Sequence, residues 1–94
     1  MNTQKIQLTH KKAEGFVIPA GTFNLVFATT DQGMVCCGAF DLAALEKLKY
    51  PAAKLTGIST IEGLLQGTII DVNPSAMAHG IATGMTGQQA LELL

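Results

Sequence analysis

Four short apolar segments, separated by brief polar or glycine-bearing breaks, fill most of the first forty residues and constrain the fold most strongly. They are KIQL (5–8), EGFVIP (14–19), FNLVFAT (23–29) and MVCCGA (34–39). Segments of this kind are typical of strands, and connections this short join antiparallel neighbours. The pattern predicts an antiparallel meander in which Gly33 adopts a left-handed conformation to close the hairpin between the last two segments.

The last two predicted strands are apolar on both faces. Phe23, Leu25 and Phe27 alternate along one face of strand 23–29, and the opposite face of that strand is also mostly apolar. Strand 34–39 has the same character, because successive side chains of a strand point to opposite sides. We therefore expect both strands near the centre of a sheet that is covered on both faces.

The second half of the chain carries helix signals that alternate with short strand-like runs at 54–58 and 68–72. The predicted helix starts are Asp41, the capping pair Ser59 and Glu62, Asn73, and the capping pair Thr86 and Gln89. Each supplies a side-chain oxygen that can accept a hydrogen bond from the first turn of a helix. The order of elements predicts an α+β two-layer sandwich with a mixed, mostly antiparallel sheet and helices largely on one face. A chain of this length supports one core, so residues 1–94 form a single domain.

Composition narrows the classes of function. Hydrophobic residues make up 48% of the chain and charged residues 14%, against about 25% charged residues in ordinary soluble domains. Such a chain leaves apolar surface exposed, which favours a homo-oligomer or a protein partner.

The chain contains no arginine, the residue best suited to binding phosphate through two hydrogen bonds, so nucleic-acid binding is disfavoured. The lack of a signal sequence or a long apolar run predicts a cytoplasmic protein without a membrane segment.

The adjacent residues Cys36 and Cys37 pose the question of a reactive thiol. In an extended strand they point to opposite faces, so they cannot bind one metal ion together or pair easily with each other. Neither His10 nor His79 lies at a metal-ligand spacing from them, and we expect no metal and no cofactor. A single reactive thiol at Cys37, assisted by the helix that begins at Asp41, is the catalytic alternative. The simpler interpretation is that both cysteines fill the core as small apolar residues.

The loop GIATGMTGQQ (80–89) is a second candidate site. Its glycines and hydroxyls offer backbone N–H groups where the last helix begins, and such groups suit a small ligand, particularly an anion. The candidate ligand-binding residues are Gly84, Thr86, Gly87 and Gln88. The alternative interpretation is a capped turn with no ligand.

Three ordered stretches, MVCCGAFDLAALEKL, GISTIEGLLQGTIIDV and GIATGMTGQQALELL, resemble the family of domains of unknown function 1805, the YunC-like proteins. The resemblance covers almost the full chain. Its most specific elements are Cys-Gly-x-x-Asp, formed by residues 37–41, and Gly-Met-x-Gly, formed by residues 84–87.

The family resemblance implies a small two-layer α+β fold and no established activity. An arginine commonly follows the final Gly-x-Gly turn of the family, and this chain has Gln88 there, so an anion contact of that arginine does not carry over. The resemblance also implies one family cysteine. Cys36 is then additional, and Cys37 becomes the position of interest.

These observations lead to three hypotheses of function. The leading one is a non-catalytic binding or homo-oligomeric assembly module, because the chain has an apolar surplus and no complete catalytic set. The second is a thiol-dependent enzyme or redox sensor that uses Cys37 near Asp41. The third is a small-ligand binder at the turn from Gly80 to Gln89.

Overall fold

The computed structural model describes residues 2–94 as an α+β fold with one open, six-stranded sheet and four short helices, which confirms the predicted fold class. The strands are β1 (Asn2–Gln7), β2 (Lys12–Ala20), β3 (Phe23–Thr29), β4 (Met34–Cys36), β5 (Ala52–Lys54) and β6 (Asp71–Val72). The helices are α1 (Leu42–Lys47), α2 (Ile61–Gln66), α3 (Pro74–Met77) and α4 (Gly87–Glu92). The strands follow one another in chain order, and β4 and β5 are parallel whereas the other neighbours are antiparallel.

Three predicted strand boundaries in the centre and second half of the chain were wrong. Strand β4 ends at Cys36 because the next residues form a turn, in which the Phe40 N–H donates to the Cys37 carbonyl at 3.3 Å. Strand β5 occupies 52–54, not 54–58, and β6 only 71–72, not 68–72. Alanine has a weak strand preference, so Ala52 and Ala53 gave no local signal. Their full burial beside β4 makes them a strand.

Side-chain caps begin the helices. The predicted caps Asp41, Asn73 and Thr86 are confirmed, and Thr86 forms the expected capping box with Gln89. The predicted box at Ser59 was wrong, because α2 starts one residue later. Its cap is Thr60, whose Oγ1 accepts a hydrogen bond from the Gly63 N–H at 3.0 Å.

Gly33 does not adopt the left-handed conformation predicted for the hairpin, and it is needed for a close contact instead. The hairpin between β3 and β4 is present, with Thr29 opposite Met34, but Gly33 has no positive φ. A Cβ atom at Gly33 would lie 2.3 Å from the carbonyl oxygen of Pro51. Gly33 is therefore required for the close approach of the segment that leads into β5.

The sheet has a hydrophobic cluster on each face. The larger cluster lies between the sheet and helices α2 and α4, and it contains Val26, Val35 and Leu64. The smaller one lies beneath α1 on the opposite face and consists of Cys36, Leu42 and Ala52. Cover on both faces is thus observed for β4. The expected cover is incomplete for β3, because Phe23 on its second face is 53% exposed.

Apolar side chains also remain on the surface, as the composition predicts. Among residues 2–94, the large exposed apolar side chains are Phe23, Leu48, Ile70, Met77 and Leu93. None of the helices in this part of the chain has the length and apolar character that a membrane crossing requires.

Helices α1 and α3 are joined by the carboxylate of Glu46. Its oxygens accept hydrogen bonds from the Ser75 N–H at 2.8 Å and from the Ser75 hydroxyl at 2.9 Å. The hydrogen bond from the Ser75 backbone N–H is the main reason that the pKa of Glu46 lies below its usual value. This contact fixes the end of the first helix to the start of the third.

A buried amide, that of Asn73, holds the entry to β5. The side chain is 2% exposed, and its Oδ1 accepts hydrogen bonds from the Ala52 N–H at 3.1 Å and the Ala76 N–H at 2.9 Å. Its Nδ2 donates to the Tyr50 carbonyl at 2.8 Å. One side chain therefore joins the loop before β5, the first residue of β5 and the first turn of α3.

We predict that Asn73→Ala lowers the free energy of unfolding by about 2–4 kcal/mol, because it removes a helix cap and leaves a buried N–H without an acceptor. Urea unfolding of the purified variant measures this loss. Asn24→Ala is the matched control, because the Asn24 amide is half-buried and makes a single 3.3 Å hydrogen bond to the Ser59 carbonyl. Equal losses in the two variants would contradict the role assigned to Asn73.

Candidate functional site

A cleft of about 350 Å³ opens beside Cys37, where the chain leaves the edge of β4. Its walls come from three segments: the start of β3, the turn after β4, and the loop from β5 to α2. The polar residues that line it are Thr22, Asn24, Thr56 and Ser59, and Cys37 also lines it. The cleft therefore brings together parts of the chain that are distant in sequence.

The Cys37 side chain is held in place by β3. The Cys37 N–H donates to the Val26 carbonyl at 2.9 Å, and the Val26 N–H lies 3.5 Å from the sulfur in return. The residue is 6% exposed and belongs to the larger core cluster, so only a small part of it faces the cleft. No histidine, lysine, aspartate or glutamate lines this cleft. The arrangement supplies hydrogen bonds to a neutral polar molecule and no general base for a nucleophilic thiol.

The Cys36 side chain lies on the opposite face of the sheet, in the cluster beneath α1. It is fully buried, and its thiol donates to the Ala53 carbonyl at 3.5 Å. Burial raises the pKa of Cys36 to about 12, with a further increase from the neighbouring Cys37 and an opposing effect of Lys54. Cys36 therefore stays protonated at neutral pH. Among residues 2–94, no group of three metal-ligating side chains is close enough to hold an ion.

The structure uses Asp41 as a helix cap. Its Oδ1 accepts hydrogen bonds from the Ala43 N–H at 2.9 Å and the Ala44 N–H at 3.3 Å. Asp41 does not line the cleft beside Cys37. The two candidate catalytic residues are thus four positions apart in the chain but do not form one site in this structure.

The turn before α4 packs against α2. Gly84 has a φ of +94°, which favours glycine, and its N–H donates to the Ile69 carbonyl at 2.9 Å. The Gly87 N–H donates to the Gly67 carbonyl at 3.0 Å. A Cβ atom at Gly87 would lie 1.9 Å from the Leu64 carbonyl oxygen, so only glycine allows this contact between the helices.

The remaining two residues of the candidate ligand site lie at the same helix start. The Thr86 N–H donates to the Gln89 side chain at 2.9 Å, and Gln88 is exposed. Three of the four residues proposed for ligand binding, Gly84, Thr86 and Gly87, therefore use their N–H groups within the chain. Ligand binding at this turn stays a prediction.

Sequence reasoning missed the polar wall of the cleft. Asn24, Thr56 and Ser59 have no common motif, because they come from a strand start and from a loop some thirty residues later. Gly38 belongs to the family motif, and the structure explains why a glycine stands there. A Cβ atom at position 38 would lie 2.9 Å from the Cγ2 atom of Thr56. That close approach brings the two loops together.

Comparison with known proteins gives two sequence matches. The family model described as domain of unknown function (DUF1805) matches residues 36–94. The chain is also similar to an uncharacterized protein, YunC, of Bacillus subtilis (strain 168), at 39% identity over 72 residues, covering 72% of this chain and 71% of that protein. These matches leave part of the chain uncovered, so the sequence similarity is less extensive than the resemblance suggested.

The fold is also similar to a crystal structure of a protein of unknown function, TA1206, from Thermoplasma acidophilum. The TM-score is 0.91 at 20% identity, and the match covers 97% of this chain and 89% of the other. The shared fold therefore includes strands β1 to β3, which precede the residues matched by the family model. One wall of the cleft, at 22–24, lies in that preceding part.

We predict that a small alkylating reagent modifies Cys37 and spares Cys36 in the folded protein. Cys36 has no exposed surface and a pKa raised to about 12, whereas Cys37 reaches the cleft. Mass spectrometry of the matched variants Cys36→Ala and Cys37→Ala at neutral pH tests this. The first variant should be labelled while folded, and the second only after unfolding. Equal labelling of both would contradict the assignment.

Proposed function

The chain belongs to the DUF1805 family, and from its surface we propose that it is a non-catalytic module that associates with a second copy of itself. The observation that carries this proposal is an apolar sheet surface that the helices of residues 2–94 leave largely uncovered. The low charge of the chain supports the same conclusion.

The apolar surface lies on strands β2 and β3, and we call it the open strand face. Its members alternate along the two strands and pair across them, with Phe16 opposite Phe27, and Ile18 opposite Leu25. At its end lies Phe23, which is 53% exposed. The five side chains that define the open strand face are Phe16, Ile18, Phe23, Leu25 and Phe27.

Helix α1 covers the same side of the sheet at β4 and β5, and within the open strand face Phe27 packs against the cluster beneath this helix. Its Leu42 packs with Cys36 and Ala52, the residues that continue this face across the centre of the sheet. Strands β1 to β3 are joined by hairpins, which bring no helix with them. The open strand face is therefore the part of this side that lies beyond α1, apart from the contact of Phe27 with the cluster beneath that helix.

Three aromatic rings stiffen the open strand face. Phe16 and Phe27 stack with centroids 4.8 Å apart, and Phe40 meets Phe27 edge-on at 5.3 Å. Rings packed in this way present a large apolar surface at low cost in side-chain entropy. Such a surface is suited to forming the centre of a protein interface.

Charges at the border of this face favour a second copy as the occupant. Lys5 of β1 lies directly opposite Glu14 of β2, on the same side of the sheet as Phe16. Most homo-oligomers associate through twofold symmetry, in which the same patch meets itself. In such a dimer, Lys5 of one copy can lie near Glu14 of the other. The net charge of each chain is −1, so two copies repel each other little.

We predict that Phe23→Ser raises the dissociation constant of the homo-oligomer at least about tenfold, because each copy loses an exposed aromatic ring. Sedimentation equilibrium over a concentration series measures it. Met77→Ser is the matched control, because Met77 is 54% exposed and lies on α3, away from the open strand face. A monomeric wild-type chain at high concentration, or an equal effect of both variants, would overturn the proposal.

Binding of a small neutral ligand in the Cys37 cleft is a second candidate function. The cleft volume falls within the range of ligand sites, and Asn24, Thr56 and Ser59 offer hydrogen-bonding side chains. Thiol chemistry at Cys37 has less support, because the cleft has no base or acid. Ligand binding at the turn from Gly80 to Gln89 also has less support, because most of its N–H groups are used within the chain.

We predict that a ligand found by a thermal-shift panel of neutral metabolites slows the alkylation of Cys37, since it would occupy the space through which the reagent enters. The variant Thr56→Val should reduce the thermal shift, because it removes a hydroxyl from the cleft wall. Gln88→Ala is the control for the other candidate site. If Gln88→Ala abolishes the shift and Thr56→Val does not, the ligand binds at the turn before α4.

A further inference from the structure

The two edges of the sheet differ in how well they are protected. At one edge, β6 has two residues and is followed directly by Asn73 and Pro74 at the start of α3. At the other edge, β1 has six residues in regular register with β2, and among residues 2–94 no strand pairs with its outer side. A regular edge of this length presents a row of unpaired N–H and C=O groups to a further strand.

Strand β1 has few of the features that normally prevent edge pairing. Proline, a bulge, several charges or a covering helix are the usual means. Strand β1 contains no proline, its pairing with β2 runs without interruption, and Lys5 is its single charged residue. The side chains of Asn2, Thr3 and Gln4 are exposed. The outer side of β1 is therefore open for most of its length.

We propose that β1 pairs with β1 of a second copy, antiparallel and across a twofold axis at Gln4, so that the two sheets form one continuous sheet. This contact uses a different surface from the open strand face and stands without it. The partner is this same chain, because identical edges can meet across a twofold axis and β1 has a register in which its single charged residue does not meet a like charge.

Symmetry and charge select the register. A twofold axis normal to the sheet keeps each side chain on its own face, so a residue of β1 must oppose one of the same parity. A register centred on Lys5 would place two lysines directly opposite each other, which is destabilising. The register centred on Gln4 opposes Thr3 with Lys5, and Asn2 with Ile6. It pairs five residues and leaves each lysine beside its own Glu14.

The proposed pairing has a structural consequence for both faces. Helices α2 and α4 of the two copies lie on the same side of the joint sheet, because the axis is normal to it. The two open strand faces then lie side by side on the other side. Self-association through the open strand face, if it also occurs, would join two such pairs.

A charge-swap experiment at Gln4 tests the pairing. Gln4→Lys and Gln4→Glu each place like charges opposite each other at the axis, and each should weaken association by roughly two- to fivefold in sedimentation experiments at low salt. An equimolar mixture of the two variants should form the mixed dimer preferentially, because lysine then opposes glutamate. The matched control is the same pair of substitutions at Gln88, which is exposed and lies on α4.

Disulfide cross-linking tests the register of the proposed β1 pairing. Directly opposed Cα atoms in an antiparallel pair lie about 4.5–5.5 Å apart, within the range that a disulfide accepts. Gln4→Cys should therefore form a covalent dimer under mild oxidation. Thr3→Cys should form it at least about tenfold more slowly, because its two copies are offset by two residues, or about 7 Å, along the strands. The unsubstituted chain controls for Cys36 and Cys37, which are both buried.

Equal cross-linking of Gln4→Cys and Thr3→Cys, or no preference for the mixed dimer in the charge swap, would overturn the pairing through β1. These outcomes are independent of the effect of Phe23→Ser. A chain that cross-links at Gln4 and is unaffected by Phe23→Ser associates through β1 alone. A chain that is weakened by Phe23→Ser and does not cross-link at Gln4 associates through the open strand face alone.

Discussion

The parallel pairing of β4 with β5 is the constraint on which the rest of the structure depends. Parallel neighbours need a crossover connection, and here the crossover contains α1, which covers the two strands that it joins. The antiparallel strands β1 to β3 need no crossover, and the hairpins between them contain no helix. The open strand face and the free edge at β1 both follow from this division of the chain.

The residues of the family motifs have structural explanations. Gly38 and Gly87 allow close approach to Thr56 and to the Leu64 carbonyl, and Gly84 adopts a positive φ. Asp41 caps α1. Glycine motifs of this kind identify a fold, because a larger residue would disturb the close contact or the positive φ. They do not by themselves indicate a ligand, since the fold alone explains these residues. Cys37 and Gly38 also line the cleft.

The proposed self-association depends on two surface features, the open strand face and the edge strand β1, whereas the cleft lacks the groups that thiol chemistry needs. The cleft has hydroxyl, amide and thiol groups but no base, and Asp41 is bonded to the first turn of α1 instead. Phe23 is 53% exposed on the open strand face, and β1 pairs with β2 without interruption. Both features lie on β1 to β3, which precede the residues matched by the family model.

The amino-acid sequence by itself determined the N-terminal meander, the alternation of Phe23, Leu25 and Phe27 on one face, and the caps at Asp41 and Thr86. These features depend on neighbours within a few residues, so a local pattern is sufficient to predict them. Tertiary structure alone decided that Ala52 and Ala53 form a central strand and that the amide of Asn73 holds its entry. It also decided the cleft beside Cys37. These depend on contacts between distant segments, and the residues that make them have no preference of their own for the positions that they occupy.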